Sequence, residues 1–519
     1  MYYIFVLILS TCALVYEFLL STLSSYLIWN SVLQFSLTIG LFLSWIWVGS
    51  FLSRFVKNPK KVFFYSEIIL WILWWFSVVL IKFLYAYFFN YLIIFYLFYF
   101  LIVLTIWALV WLEIPILWNL VASKTDENNN KINFKNVISD VFTYDYIWAI
   151  IATFIFPFVL LPFLWLTYTA LILGFFNIII AFLFIYEKNI RSYYTEQKIL
   201  LKYTLSLIII TIIYIIGIFF IKNYFENFWD HFFYQEPVVF KTQSKYQEIV
   251  ITKRGDDIRL LLDWNLQFLS LDEKRYHNSL WSLPESIIKK DYSKNNILVL
   301  WGWDWMIARN IIETFWKQDF KITLVDIDEV MTNTAKTNKI LLDLNKKSLL
   351  NPKVEIVNLD AFRFLSDKKR EKKFTWYDVI IADFTDPRDV WIAKLYSKEF
   401  YLLLKNILKQ RWIFVTQSWN AFFAKESFWC INKTLSSVFS DKWSYKIIPY
   451  KTYLPSFWDW WFNAVIKGDL DIRDFYKNEL VVTKFDKDYI VDLDKIDINT
   501  IENSSIIRYF TEGRHRFNL

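Results

Sequence analysis

Six aspartates stand where a ligand would be handled. The apolar run ILVL is followed by Trp301-Gly302-Trp303-Asp304-Trp305, ITLV by Asp326 and Asp328, EIVNL by Asp360 and Ala361, and DVIIA by Asp383 and Asp386. In an open α/β sheet, ligands bind outside the carboxyl ends of the strands. One aspartate at a strand end commonly caps the next helix or loop. Acid at four successive strand ends forms a rim instead. Such a rim suits a cation, and suits a ribose, whose two hydroxyls a carboxylate holds. Other chemistries lack their residues. Cys12 and Cys430 lie too far apart for a CxxC site or a disulfide framework. His231, His277 and His515 lack the spacing of a zinc centre. The net charge of +7 is spread out and makes no nucleic-acid patch.

The elements that must position these acids follow from the apolar pattern. From Asn296 the rhythm is strand, turn, helix, strand, with further strands expected at Val354–Asn358, Val379–Ala382 and Ile413–Gln417. That rhythm predicts an open, mostly parallel, Rossmann-like α/β sheet over residues 291–470. Before it, Pro237–Lys253 and Ile258–Ser270 alternate like a small antiparallel sheet, giving a β subdomain over 226–290. A charged extension over 471–519 is expected to pack outside the parallel sheet.

Residues 1–225 are different. The chain is 56% hydrophobic and 21% aromatic, against roughly 45–50% apolar in soluble proteins. Seven apolar runs, near 3–28, 32–55, 62–84, 87–116, 146–165, 166–186 and 201–221, predict an α-helical multi-pass membrane domain. The first run lacks a basic leader and a small-residue cleavage site, so it reads as a retained helix. Arg54, Lys57, Lys60 and Lys61 follow the second run, and Lys188, Arg191 and Lys198 follow the sixth, which places the N-terminus inside. Seven crossings would then leave the C-terminal half outside. Glu17, Glu67 and Glu113 lie within apolar runs, where an ionisable group is a functional candidate or a bond to a neighbouring helix.

One pair of counts is abnormal. Glycine numbers 8 and tryptophan 27, whereas at a usual ~7% glycine a chain this long holds roughly 36. A ligand-binding strand-to-helix turn needs glycine for positive φ and close backbone approach. Here three indoles occupy that turn. With glycine in their place the line reads ILVLGGGDGMIARNIIE.

That line resembles the polyamine aminopropyltransferases, the spermidine synthase family, and more closely their membrane-embedded branch. The resemblance extends over nearly the whole chain. It rests also on LVYEFLLSTLSSYLIWNSVLQFSLTIGLFLSWIWVGS and ISDVFTYDYIWAIIATFIFPFVLLP. In the soluble part it rests on LLLDWNLQFLSLDEKRYHNSL, DVIIADFTDP, KLYSKEFY, FVTQSWNAFFAKESFWCI and LPSFWDWWFNAV. At Trp29, Trp45, Trp47, Trp148, Trp264, Trp301, Trp303, Trp305, Trp458 and Trp461 the family pattern has or tolerates glycine. The counts and the pattern together raise the expectation that many tryptophans stand for glycine encoded by UGA.

The resemblance implies a class I methyltransferase-like fold and a set of roles. Gln267, Gly302, Asp304, Asp326, Asp360 and Ala361 would contact the adenosyl donor. Tyr276, His277, Asp304 and Asp386 would bind the amine, and Asp383 would accept its proton. The bland reading of Tyr276 and His277 is a core tyrosine and a capping histidine. Arg388-Asp389-Val390 replaces the Gly-Pro that usually follows the family's DxxDP motif, and Tyr453 stands near the place of a substrate-wall tyrosine. The implied reaction moves the aminopropyl group of decarboxylated S-adenosylmethionine to a diamine, most simply putrescine, giving spermidine and methylthioadenosine. No metal or permanently bound cofactor is implied. Expected partners are the polyamine, the donor, the lipid bilayer and possible further copies of the chain in a homo-oligomer, with no nucleic acid. The expected location is a bacterial inner membrane with the catalytic part cytoplasmic, where the donor is. Two alternatives remain: a methyltransferase using intact S-adenosylmethionine, and a polyamine transporter or sensor with an inactive synthase-like domain.

Overall fold

The computed structural model describes residues 2–28, 31–88, 91–122, 134–186, 197–220, 224–234, 236–288, 295–302, 305–315, 319–371, 376–440, 444–467, 472–479, 481–483, 485 and 487–516. The chain divides into two compact units, Met1–Gln235 and Glu236–Leu519.

The first unit is helical: α1 (Tyr2–Ile28), α2 (Ser31–Ser53), α3 (Pro59–Phe88), α4 (Leu92–Ala122), α5 (Phe134–Ile155), a π-helical turn at Phe156–Leu160, α6 (Leu161–Tyr186), α7 (Gln197–Phe220) and α8 (Glu226–Tyr234). Among the described residues, five stretches are long and apolar enough to cross a bilayer: Ile4–Ile28, Val32–Ser53, Pro59–Phe88, Leu92–Leu120 and Phe142–Phe184. The count differs from seven for two reasons. The backbone stays helical through the π turn and past the boundary of the fifth and sixth runs, making one 43-residue stretch kinked at Trp165, and in the seventh run the stretch whose side chains are all described is the shorter Ile208–Phe220. The long fourth run is one helix of 31 residues; at about 1.5 Å per residue it exceeds the ~30 Å of hydrocarbon and must tilt or protrude. Glu17, Glu67 and Glu113 are all buried, and Glu67 of α3 interacts electrostatically with Glu113 of α4.

Residues 226–234, expected to open the β subdomain, form α8 and close the helical unit instead. The cause is aromatic packing on α3. The Lys82 ammonium lies 5.5 Å from the Trp229 ring centroid, and Phe233 stacks on Tyr85.

The second unit begins with an antiparallel meander in the order β1-β2-β3-β4: β1 (Val238–Gln243), β2 (Glu248–Arg254), β3 (Asp257–Leu262) and β4 (Asn265–Leu269). Helix α9 (Glu273–Ile288) leads from it into a seven-stranded sheet. That sheet has the order β10-β11-β9-β8-β5-β6-β7, with β5 (Asn295–Leu300), β6 (Phe320–Asp326), β7 (Val354–Asn358), β8 (Tyr377–Ala382), β9 (Leu408–Gln417), β10 (Tyr445–Leu454) and β11 (Trp458–Lys467). Strands β5 to β9 are parallel, and β11 lies antiparallel between β9 and β10. This is the methyltransferase-like variant of the Rossmann arrangement expected from the sequence. The central strands read as continuous apolar runs because both sheet faces are covered; Leu298, Leu300 and Ile380 fill one core, and Ile297, Val299 and Ile381 the other. Helices α10 (Met306–Thr314) and α11 (Glu329–Thr337) follow β5 and β6.

The C-terminal extension packs mainly on the helix Ala421–Val438. Trp429 donates its indole N–H to the Tyr489 carbonyl at 2.6 Å, and Lys433 donates to the carbonyls of Leu493 and Ile496 at 2.6 and 2.7 Å.

Candidate active site

The sheet order changes direction at β5. The chain moves from β5 outward through β6 and β7, then returns to lay β8 on the other side of β5. A crevice opens at such a switch point, and ligands bind there. The ends of the two strands are tied, with Asp383 N donating to the Leu300 carbonyl at 3.1 Å. Asp383 is therefore held at the mouth of the crevice by its own backbone. Its side chain is buried and accepts a short hydrogen bond from the Tyr276 hydroxyl of α9.

The segment Asp383–Asp386 is braced from behind. The buried Tyr396 hydroxyl lies 3.2 and 3.1 Å from the carbonyls of Phe384 and Thr385. Gln417, at the end of β9, donates its amide N–H to the Phe384 carbonyl and to the Tyr396 hydroxyl. Burial pushes the Tyr396 phenol well above its ordinary range, and Tyr401, Asp386 and Asp383 push it further. It stays a neutral hydroxyl group beside the two acids.

Helix α9 is anchored by a buried ion pair. Arg309 of α10 donates to both Glu273 carboxylate oxygens at 3.0 and 2.9 Å. Burial raises the Glu273 carboxyl, but the hydrogen bond and charge of His277, then those of Arg309, outweigh it and hold the group at about 2. His277 is fully buried, with Nδ1 at 2.7 Å from the Glu273 carbonyl and 3.0 Å from its Oε2. Both partners are acceptors, so Nδ1 carries a proton.

The other strand ends also carry their acids. Asp326, at the end of β6, is buried and accepts from the Asp328 N–H at 2.7 Å. Asp328 caps α11, accepting from the N–H groups of Val330 and Met331, and takes a third bond from Gln247 at 3.0 Å. Asp360 accepts the Arg363 N–H at 2.9 Å and pairs with Lys394 at 3.1 Å, with Ala361 opening the next helix. Gln267 lies on β4, its amide N–H reaching the Asn265 carbonyl at 3.4 Å. Burial raises the Asp263 carboxyl to about 6 against the pull of the Glu248 N–H and the Arg388 charge, while Glu248 and Asp328 raise it further. Tyr453 is exposed. Asp304 and Trp303 lie outside the described residues. Among the described residues no group of three His, Cys, Asp or Glu side chains is placed to hold a metal.

A model of the spermine/spermidine synthase domain matches residues 273–473. A polyamine aminopropyltransferase of Leptospira interrogans is 32% identical over 99% of this chain and 98% of its own length. Proteins of the same description from Oceanobacillus iheyensis (33% identical, 90% of this chain and 85% of its own) and Aquifex aeolicus (32%, 96% and 95%) are similar along most of their length. The chain belongs to the polyamine aminopropyltransferase family. It is a transferase, and its reaction is aminopropyl transfer. In this aminopropyltransferase the structure brings Tyr276 to Asp383 and places His277 in the core on Glu273. Asp326, Asp328 and Asp360 stand at neighbouring strand ends. The bracing residues Tyr396 and Gln417, the Glu273–Arg309 pair and the Gln247–Asp328 bond were not singled out from the sequence. Tyr396 and Gln417 lie inside the quoted stretches KLYSKEFY and FVTQSWN, and this was their only signal.

Proposed function

We propose that Asp383 is the proton acceptor in transfer of an aminopropyl group from decarboxylated S-adenosylmethionine to a diamine, most simply putrescine. The observation that carries this reading is the buried Asp383 carboxylate at the switch point, oriented by Tyr276. An amine nitrogen attacks the methylene carbon beside the donor's sulfonium. The new C–N bond forms as the C–S bond breaks, and the electron pair returns to sulfur, giving neutral methylthioadenosine. The attacking nitrogen must first lose a proton, because an ammonium has no lone pair. Asp383 binds that ammonium, takes its proton and passes it to water. Asp386, on the same braced segment, holds the amine so that nitrogen faces carbon, an orientation term.

Donor recognition follows from the strand-end acids. Asp326 would hold the ribose hydroxyls, and Asp360 with the Ala361 backbone would meet the adenine edge. Gln267 and Gly302 complete the donor wall. The acidic surroundings favour the decarboxylated donor over intact S-adenosylmethionine, whose carboxylate they repel. This charge argument favours aminopropyl transfer over methyl transfer. We place the catalytic unit on the cytoplasmic side of a bacterial inner membrane, since donor and amine are cytosolic; with the N-terminus inside, this requires an even number of crossings.

The test is Asp383→Asn in the full chain, assayed for methylthioadenosine release with putrescine. Loss of a general base lowers kcat by about 10²–10⁴, with donor binding retained. Unchanged turnover would remove Asp383 from the role.

A further inference from the structure

The backbone adopts glycine's conformations at places where the sequence reads tryptophan. Ten non-glycine residues among those described have positive φ, and six of them are tryptophan: Trp165, Trp264, Trp301, Trp305, Trp419 and Trp458. Tryptophan makes up only 27 of the 519 residues. For a bulky residue, positive φ is a true outlier; the few side chains that tolerate it are mainly Asn, Asp and His.

Each of the six sits in a setting that calls for glycine. Asp263 and Trp264 are the two residues between β3 and β4, with φ of 46° and 67°. Two positive φ values in a two-residue hairpin define the type I′ turn, for which Asp-Gly is a preferred pair. Trp301 (φ 62°) ends β5, and Trp305 (φ 59°, ψ 1°) caps α10. Between them a Cβ on Gly302 would lie 2.6 Å from Val299 Cγ1, so this turn is already built around one glycine. Trp419 (φ 72°) joins β9 to the helix Ala421–Val438. Trp458 (φ 63°) closes the β10–β11 hairpin opposite Leu454, where a left-handed residue after a three-residue loop is characteristically glycine. Trp165 lies inside α6 with φ 57° and ψ 173°, a region essentially restricted to glycine.

The indoles, unlike the backbone, do not separate the six from the rest. A buried tryptophan N–H usually finds an acceptor. Trp305 is fully buried, and its Nε1 and that of Trp419 have no hydrogen-bond partner, but Trp264 donates to Glu248 Oε2 at 3.0 Å, and the indoles of Trp71, Trp74 and Trp107 in regular helix lack partners too. Trp281 and Trp429 behave as ordinary tryptophans: their φ values are not positive, and they donate to Thr314 Oγ1 at 2.8 Å and to the Tyr489 carbonyl at 2.6 Å. Trp45, Trp47, Trp148 and Trp461 lie in regular helix or strand, where the backbone makes no such demand. Trp29 and Trp303 lie outside the described residues.

We infer that the polypeptide made in its own cell carries glycine at positions 165, 264, 301, 305, 419 and 458, UGA being read there as glycine. The inference rests on backbone geometry and not on the proposed reaction. It consequently selects positions that the family pattern did not single out, Trp165 and Trp419, and leaves Trp281 and Trp429 as tryptophan.

The test is the mass of tryptic peptides from the full chain isolated from its source cells. Asn295–Arg309 should be lighter by a Trp-to-Gly difference at both 301 and 305, and Leu260–Lys274 by one such difference at 264. Tyr276–Lys289, which holds Trp281, should keep its tryptophan mass. Tryptophan masses at 264, 301 and 305 would overturn the inference, as would a glycine mass at 281. The methylthioadenosine assay then separates the two proposals. Glycine masses with no turnover would sink the proposed reaction and leave this inference standing.

Discussion

Replacing Glu273 by glutamine tests the anchor that holds α9 in place. The carboxylate and Arg309 are both nearly inaccessible, at 3% and 4% exposed, so solvent screens the pair little. Against the upward push of burial, His277 first and Arg309 second hold the Glu273 carboxyl at about 2 against an ordinary 4.5; at about 1.4 kcal/mol per pKa unit, this amounts to about 3 kcal/mol of stability at neutral pH for the two partners together. The mutational estimate agrees, since removing one partner of a buried ion pair costs about 3–5 kcal/mol by leaving the other charge unpaired. The sign follows from linkage. A depressed carboxyl contributes its full stability above the unfolded value, near 4.5, and loses it as pH falls toward about 2. The assay is urea unfolding of the full chain in detergent, wild type beside Glu273→Gln, at pH 7 and at pH 3. The gap should be about 3 kcal/mol at pH 7 and clearly smaller at pH 3. A gap that stays the same at both values would refute the electrostatic origin. A gap under about 0.5 kcal/mol at pH 7 would place the pair with ordinary surface contacts.

Two further outcomes are expected. Asp263→Asn should flatten the pH dependence of stability between about 4 and 6. The wild-type carboxyl is raised to about 6 in the fold, so the folded chain holds the extra proton and wild-type stability falls as pH rises across that window; identical pH profiles would count against it. Tyr396→Phe removes the hydroxyl that bridges the carbonyls of Phe384 and Thr385. It should cost about 1 kcal/mol of stability and raise KM for the amine more than it changes donor binding; an unaltered KM would show that the brace does not set the position of Asp386.

The apolar periodicity and the acids at the strand ends were enough to read a helical bundle followed by a parallel α/β sheet. These are local properties. A buried parallel strand must be apolar on both faces, and ligand acids gather where strands end. The ordered motifs carried the family for the same reason, each lying within one short stretch. The break between units was less legible. Residues 226–234 carry enough charge to look soluble, yet Trp229 and Phe233 commit them to α3.

What the tertiary structure alone decided are contacts between distant positions and the sign of φ. Tyr276 meets Asp383 across 107 positions, and Arg309 meets Glu273 across 36. Such pairs leave no periodic trace, because packing rather than spacing makes them. The composition showed that glycine was scarce and tryptophan abundant. Which tryptophans occupy left-handed backbone depends on how the chain turns at each site, so only the folded backbone could separate Trp419 from Trp281.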